Sequence, residues 1–199
     1  MPHPLSDFHF CPHCGSKDFA EHDAFSKRCG QCGFTFYPNA AAATVAVVQN
    51  GRGELLCVVR AREPGKGTLD LPGGFVDPGE SLTEGLAREL REEVGAELTA
   101  AEFLFSLPNA YPFSGHTVRT CDAFFRCRIA DPSAVRPSDD AADLRWITPE
   151  DLRPEDFGLG SVRCGVARLL YFQDRSAIIS SPPSSSERSG EGEGGDEMR

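Results

Sequence analysis

Apolar and polar positions follow two different periods along this chain, and each period marks a kind of element. Residues 42–48 (AATVAVV) and 54–60 (ELLCVVR) are short apolar runs rich in β-branched residues, joined through Asn50-Gly51, so they predict two strands and a turn. Residues 60–68 are polar and predict a loop, after which 69–71 lead into Pro72-Gly73-Gly74. Between 81 and 94 the period becomes helical. Leu82, Leu86, Leu90 and Val94 form one stripe that must face a core. Ser81 followed by Glu84 is a capping box that starts this helix, and Gly95 suits its end. Further strands are predicted near 102–107, over 117–129 and over 144–147, with a last helix around 162–172. Strands enclosing two helices predict an α+β fold.

The charges of the 81–94 helix do not all lie opposite its stripe. Advancing about 100° per residue, Glu93 falls between Leu82 and Leu86, and Glu89 lies about 20° beyond Leu82. Two carboxylates therefore border the buried face, where unpaired charge is costly. Four residues apart, they also repel each other. Arg88, Arg91 and Glu84 lie on the far side and suit a solvated, ion-paired surface. Hard oxygen ligands at i and i+4 suit magnesium or manganese, and such a cation would resolve both conflicts. Glu92, one turn from Glu89, can join them.

Composition changes this picture in three ways. The 199 residues, 40% hydrophobic, allow one domain of ordinary size with a small appendage. A net charge of −10 argues against nucleic acid or an anionic membrane as a general partner. The opening MPHPLSDFHF has no basic segment followed by an apolar run, and no apolar stretch of about 18 residues exists. The expectation is a soluble, cytoplasmic protein.

Four of the eight cysteines sit as CPHCG and CGQCG, fourteen residues apart. Cys11, Cys14, Cys29 and Cys32 have the spacing of a zinc ribbon, with Gly15 and Gly33 allowing the tight turn of each knuckle. A redox Cys-x-x-Cys site is the rival, but the two knuckles are matched. A segment this short cannot build a sufficient core, so zinc would contribute its fold outright. His9 and His13 read as surface residues, and Cys57, Cys121 and Cys127 as small buried hydrophobes. Residues 1–38 form the ribbon and 39–175 the main domain. Residues 176–199, rich in Ser, Gly, Pro and Glu, are expected to be disordered.

Residues 74–96, GFVDPGESLTEGLARELREEVGA, resemble the Nudix box, the signature of the Nudix hydrolase superfamily. Gly74, Glu80, Arg88, Glu89, Leu90, Glu92, Glu93 and Gly95 fall at its fixed positions. Ala96 is small where a larger aliphatic is usual. The resemblance implies an α/β/α sandwich with a mixed sheet. It also implies Mg2+- or Mn2+-dependent hydrolysis of a nucleoside diphosphate linked to a second group. Glu89 and Glu93 would be the principal ligands, Glu92 a supporting one, and the Gly73 carbonyl another. Arg88 would hold a box glutamate, Glu80 would fix the loop, and Glu89 is the favoured general base. An acid outside the box often completes such a site. Asp140 is the candidate, with Asp139 and Asp143 as alternatives and a solvated acidic loop as the plain reading. Homodimers are common among members.

A zinc ribbon directly before a Nudix domain, with the Tyr37-Pro38 link, resembles the NADH pyrophosphatase branch. That branch carries a Ser-Gln-Pro-Trp-Pro-Phe-Pro array. Here the stretch from Ser106 to Phe113 keeps Ser106, Pro108, Pro112 and Phe113, with Tyr111 near the place of the Trp. The Gln, the Trp and the branch's amino-terminal domain are absent from this sequence. Tyr111 and Phe113 are expected on a binding loop, where they would stack on a base. The alternative is a Pro-rich connection packing its aromatics on the core. NAD(H) or ADP-ribose is the expected substrate. House-cleaning hydrolysis of nucleoside triphosphates and removal of an NAD cap from RNA are the alternatives. Nucleic-acid binding by the ribbon is disfavoured, because Lys17, Lys27 and Arg28 face Asp7, Asp18, Glu21 and Asp23.

Overall fold

A computed structural model describes residues 3–113, 115–137 and 141–180, with side chains of the last helix described through 172. Three short strands come first: β1 (Phe19–Glu21), β2 (Lys27–Cys29) and β3 (Thr35–Phe36), antiparallel in that order. Their interior is Cys11, Phe19 and Cys29, with Phe36 packed against it. That is too little apolar surface to hold a fold without a cross-link. Gly15 and Gly33 adopt φ 74° and 76°, and their N–H groups close turns on the carbonyls of Cys11 and Cys29 at 2.8 and 2.9 Å. Both knuckles expected from the Cys-x-x-Cys-Gly repeats are present.

The main domain continues with β4 (Ala41–Val48), β5 (Leu55–Arg60), β6 (Leu69–Asp70) and β7 (Gly73–Phe75). Helix α1 (Leu82–Val94) follows, then β8 (Leu98–Phe113), β9 (His116–Ile129), β10 (Ala141–Ile147), a 3-10 turn (Pro154–Asp156) and α2 (Gly160–Ser180). The larger sheet has the order β7-β4-β9-β8, with β4 parallel to β9 and the other pairs antiparallel; β10-β5-β6 form a second sheet. β4 reads as continuous apolar sequence because both of its faces are covered. Ala46 and Val48 pack with Leu86, Leu90 and Val94 of α1, whereas Val45 and Val47 pack with Val162 and Val166 of α2. One helix on each face of a mixed sheet is the α/β/α sandwich implied above. Among the described residues no helix is long and apolar enough to cross a membrane.

Several expectations need correction. The stretch expected as a binding loop is the second half of β8. Tyr111 stands opposite Val118 and Phe113 opposite His116 on β9. Pro108 and Pro112 misdirect a sequence reading here, because β8 is an edge strand, where a missing N–H is tolerated. Cys121 is exposed, since its neighbours Thr120 and Asp122 take the inward positions of β9. Leu82, 37% exposed, lies outside the buried stripe. α2 extends to Ser180, beyond the expected 172. Asp139, Asp140 and residues 181–199, most of the expected tail, lie outside the described residues.

Candidate active site

Helix α1 is fixed at both ends by its own sequence. The Ser81 side chain accepts from the Glu84 N–H, Glu84 accepts from the Ser81 N–H, and Gly95 caps the far end in the left-handed conformation. The loop before the helix is tied down by Arg88. Its Nε and Nη2 donate to the two oxygens of Glu80 at 2.9 and 3.0 Å, a bidentate pair. Nη2 also donates to the Phe75 carbonyl at 2.9 Å, and Nη1 to Glu89 at 2.9 Å and Glu92 at 3.2 Å. Glu80 in turn accepts from the Asp77 N–H at 3.0 Å. Arg88 and this N–H hold the Glu80 carboxyl below the usual carboxylate range. Arg88 is thus the hub of the site, with 22% of its side chain exposed, and not part of a solvated far face.

Glu89 and Glu93 point from α1 toward the strands. Glu93 accepts the Gly73 N–H at 3.0 Å. Burial pushes its pKa up to about 8, the Gly73 N–H opposes that, and repulsion from Asp70 and Glu89 adds to it. Burial also raises Glu89, against the pull of Arg88. Behind them Asp70 forms a short ion pair with Arg60. The two glycines before Phe75 are required by close approach. A Cβ on Gly74 would lie 2.6 Å from the Glu89 carboxylate, and one on Gly73, at φ 144°, would lie 2.1 Å from the Thr44 carbonyl oxygen.

Asp143, one of the acids considered outside the box, is exposed on β10 and turned toward Arg145 at 3.4 Å, so it does not join the carboxylates. Tyr111 meets Phe75 edge-on, with ring centroids 5.6 Å apart, and lies 6.5 Å from Phe113. Phe75, 39% exposed, was not singled out in the sequence. Its signal was its place directly after Gly73-Gly74, on the strand whose backbone meets Arg88 and Glu93.

The Sγ atoms of Cys11, Cys14, Cys29 and Cys32 lie within 4.8 Å of one another, with Cys11–Cys32 at 3.8 Å and Cys14–Cys29 at 3.7 Å. Four tetrahedral bonds of about 2.3 Å would place sulfurs about 3.8 Å apart, so this set fits a zinc ion. Among the described residues no carboxylate cluster converges as closely. Magnesium needs only one or two carboxylates and keeps several waters, so the half-buried pair Glu89 and Glu93, whose negative charges a cation would offset, also fits a divalent ion. The ribbon touches the main domain at the tip of the β8–β9 hairpin, where Phe8 lies 6.3 Å from His116, and Asp7 lies 3.8 Å from it.

A family profile described as the NUDIX domain matches residues 38–163. The chain is 30% identical over 155 residues to "NAD-capped RNA hydrolase NudC" of Vibrio vulnificus, covering 76% of this chain and 55% of that protein. The protein of the same description from Vibrio parahaemolyticus is 30% identical over 179 residues, covering 89% of this chain and 64% of its own length. The chain thus spans little more than half the length of these relatives. Among solved structures, a NUDIX hydrolase from Nitrosomonas europaea shares the fold with a TM-score of 0.65 at 20% identity, covering 84% of this chain and 93% of that one. The profile, the relatives and the α/β/α sandwich agree: the chain belongs to the Nudix hydrolase family.

Proposed function

We propose that this protein hydrolyses the pyrophosphate bond of a nucleoside diphosphate linked to a second group, with NAD(H) or ADP-ribose as favoured substrates. The observation that carries this reading is the pair of half-buried glutamates, Glu89 and Glu93, one turn apart and both raised by burial. Two such carboxylates are costly in a cation-free protein and become favourable ligands beside a divalent ion. When bound, magnesium or manganese supplies neutralisation of the pyrophosphate charge and a place for water. Glu89 accepts the proton that water loses as its oxygen attacks phosphorus. The P–O bond to the leaving phosphate then breaks, giving two monophosphates. Glu89 and Glu93 would hold the cation, supported by Glu92, with the Gly73 carbonyl as a further ligand. Arg88 fixes Glu89 and Glu92 relative to the loop through Glu80. Phe75 and Tyr111 offer a corner of two rings for a base, with Phe113 next in line.

A second reading is removal of an NAD cap from RNA. The relatives carry that description, and the exposed rings of Phe75 and Phe113 give successive nucleotides a surface to stack on. An assay of NADH, ADP-ribose, NAD-capped RNA and modified deoxynucleoside triphosphates, with magnesium or manganese, separates these readings by product. Turnover of triphosphates alone would sink both. Glu93→Gln is expected to lower turnover by roughly 100-fold or more, with fold and bound zinc unchanged. Retained turnover would refute the metal role of Glu93.

A further inference from the structure

Thr44 is 1% exposed in β4, and its hydroxyl has no hydrogen-bond partner among the described residues. Such a group costs stability in the cation-free protein, where a valine of the same shape would not. Two independent features fix the direction of its side chain. Across the β4–β7 pairing Thr44 stands opposite Gly74, and directly opposed residues share a face of the sheet. The missing Gly74 Cβ points at the Glu89 carboxylate, 2.6 Å away. Along β4 the alternation agrees, since Ala46 and Val48 pack on α1 while Val45 and Val47 pack on α2. The unpaired hydroxyl therefore lies on the α1 face, beside the point where Glu89 and Glu93 meet the strands. Glu93 takes the Gly73 N–H and Glu89 takes Arg88, and neither pairs with the Thr44 hydroxyl.

We infer that Thr44 is a positioning residue of the cation site, its hydroxyl reserved for the hydration shell of a divalent ion seated by Glu89 and Glu93. This rests on the metal reading proposed above. An ion such as magnesium keeps several waters when one or two carboxylates hold it. A hydroxyl can accept from such a water and donate its own proton to a carboxylate, which valine cannot do. Cation binding then pairs a group that the cation-free fold leaves unpaired, so it is coupled to stability more strongly than the glutamates alone would make it.

Thr44→Val removes the hydroxyl and keeps the shape, and Thr44→Ser keeps the hydroxyl. Manganese titrations of the zinc-loaded protein, read by calorimetry and by manganese paramagnetic resonance, test the idea alongside melts with and without manganese. Thr44→Val is expected to melt at or above the wild-type temperature without manganese. It should bind the ion roughly 10-fold more weakly, as supporting groups of metal sites do, and lose most of the manganese-induced rise in Tm. Thr44→Ser should recover the affinity to within about 3-fold of wild type, a partial return expected for a preserved supporting group. Equal manganese affinity in all three proteins would overturn the inference. If wild type and Glu93→Gln take up manganese equally weakly, the metal reading itself falls, and the inference with it.

Discussion

Glu93 carries the plainest pH signature in the molecule. Its folded-state pKa is raised from the usual carboxylate value to about 8, chiefly by burial. A raised pKa means the folded state holds the proton more tightly than the unfolded chain does. The stabilisation is therefore complete below the unfolded value of about 4.3 and is lost as pH rises toward 8. Metal-free protein should lose stability across that window in denaturant titrations, and Glu93→Gln should flatten the loss. Magnesium competes with this proton, so its apparent affinity should climb over the same range and level off near pH 8. A pH-independent affinity would contradict this account. At this scale the sequence was informative about Glu89 and Glu93, because a helical wheel shows which side chains border the apolar stripe. The wheel alone was misleading about Arg88, whereas the resemblance to the box has Arg88 holding a glutamate, as it does Glu80. The wheel knows only one helix, and the partners of Arg88 come from the loop that folds back over it, through Phe75 and Glu80.

Elements meet closely at two glycines, and both give tests. Gly74→Ala puts a methyl against the Glu89 carboxylate, so α1 must move or Glu89 must turn. A stability loss of about 1–3 kcal/mol is expected in chemical denaturation, together with weaker manganese binding. Gly165→Ala meets the Phe124 ring at 2.4 Å, where α2 crosses β9. A similar loss of about 1–3 kcal/mol should follow there, with manganese affinity unchanged, because α2 lies on the opposite face from the carboxylates. Equal effects on metal binding from both variants would deny that the two faces are separate. The strands β4 and β5 were legible from their apolar runs. The extent of β8 was not, because prolines in a strand are acceptable only at an edge, and a sequence does not say which strand is the edge.

At the scale of the whole molecule the ribbon and the main domain have separate cores, joined through Phe8, Asp7 and His116. Cys11→Ser should therefore release zinc, measured by metal analysis, and disorder residues 1–38 in amide spectra, while the main domain keeps its melting transition. Simultaneous loss of both would show that the ribbon supports the domain more deeply than this contact implies. By itself the sequence determined the box helix, its caps, the carboxylate pair and the cysteine knuckles. All of these depend on spacing along one element or within one turn, and spacing is what a sequence records. Only the tertiary structure decided that Gly73 and Gly74 exist for close approach, that Tyr111 lies on a strand against Phe75, and that Thr44 stands unpaired beside the glutamates. Those facts depend on which strands become neighbours and in what register, and that is set by burial across the whole domain rather than by any local run of residues.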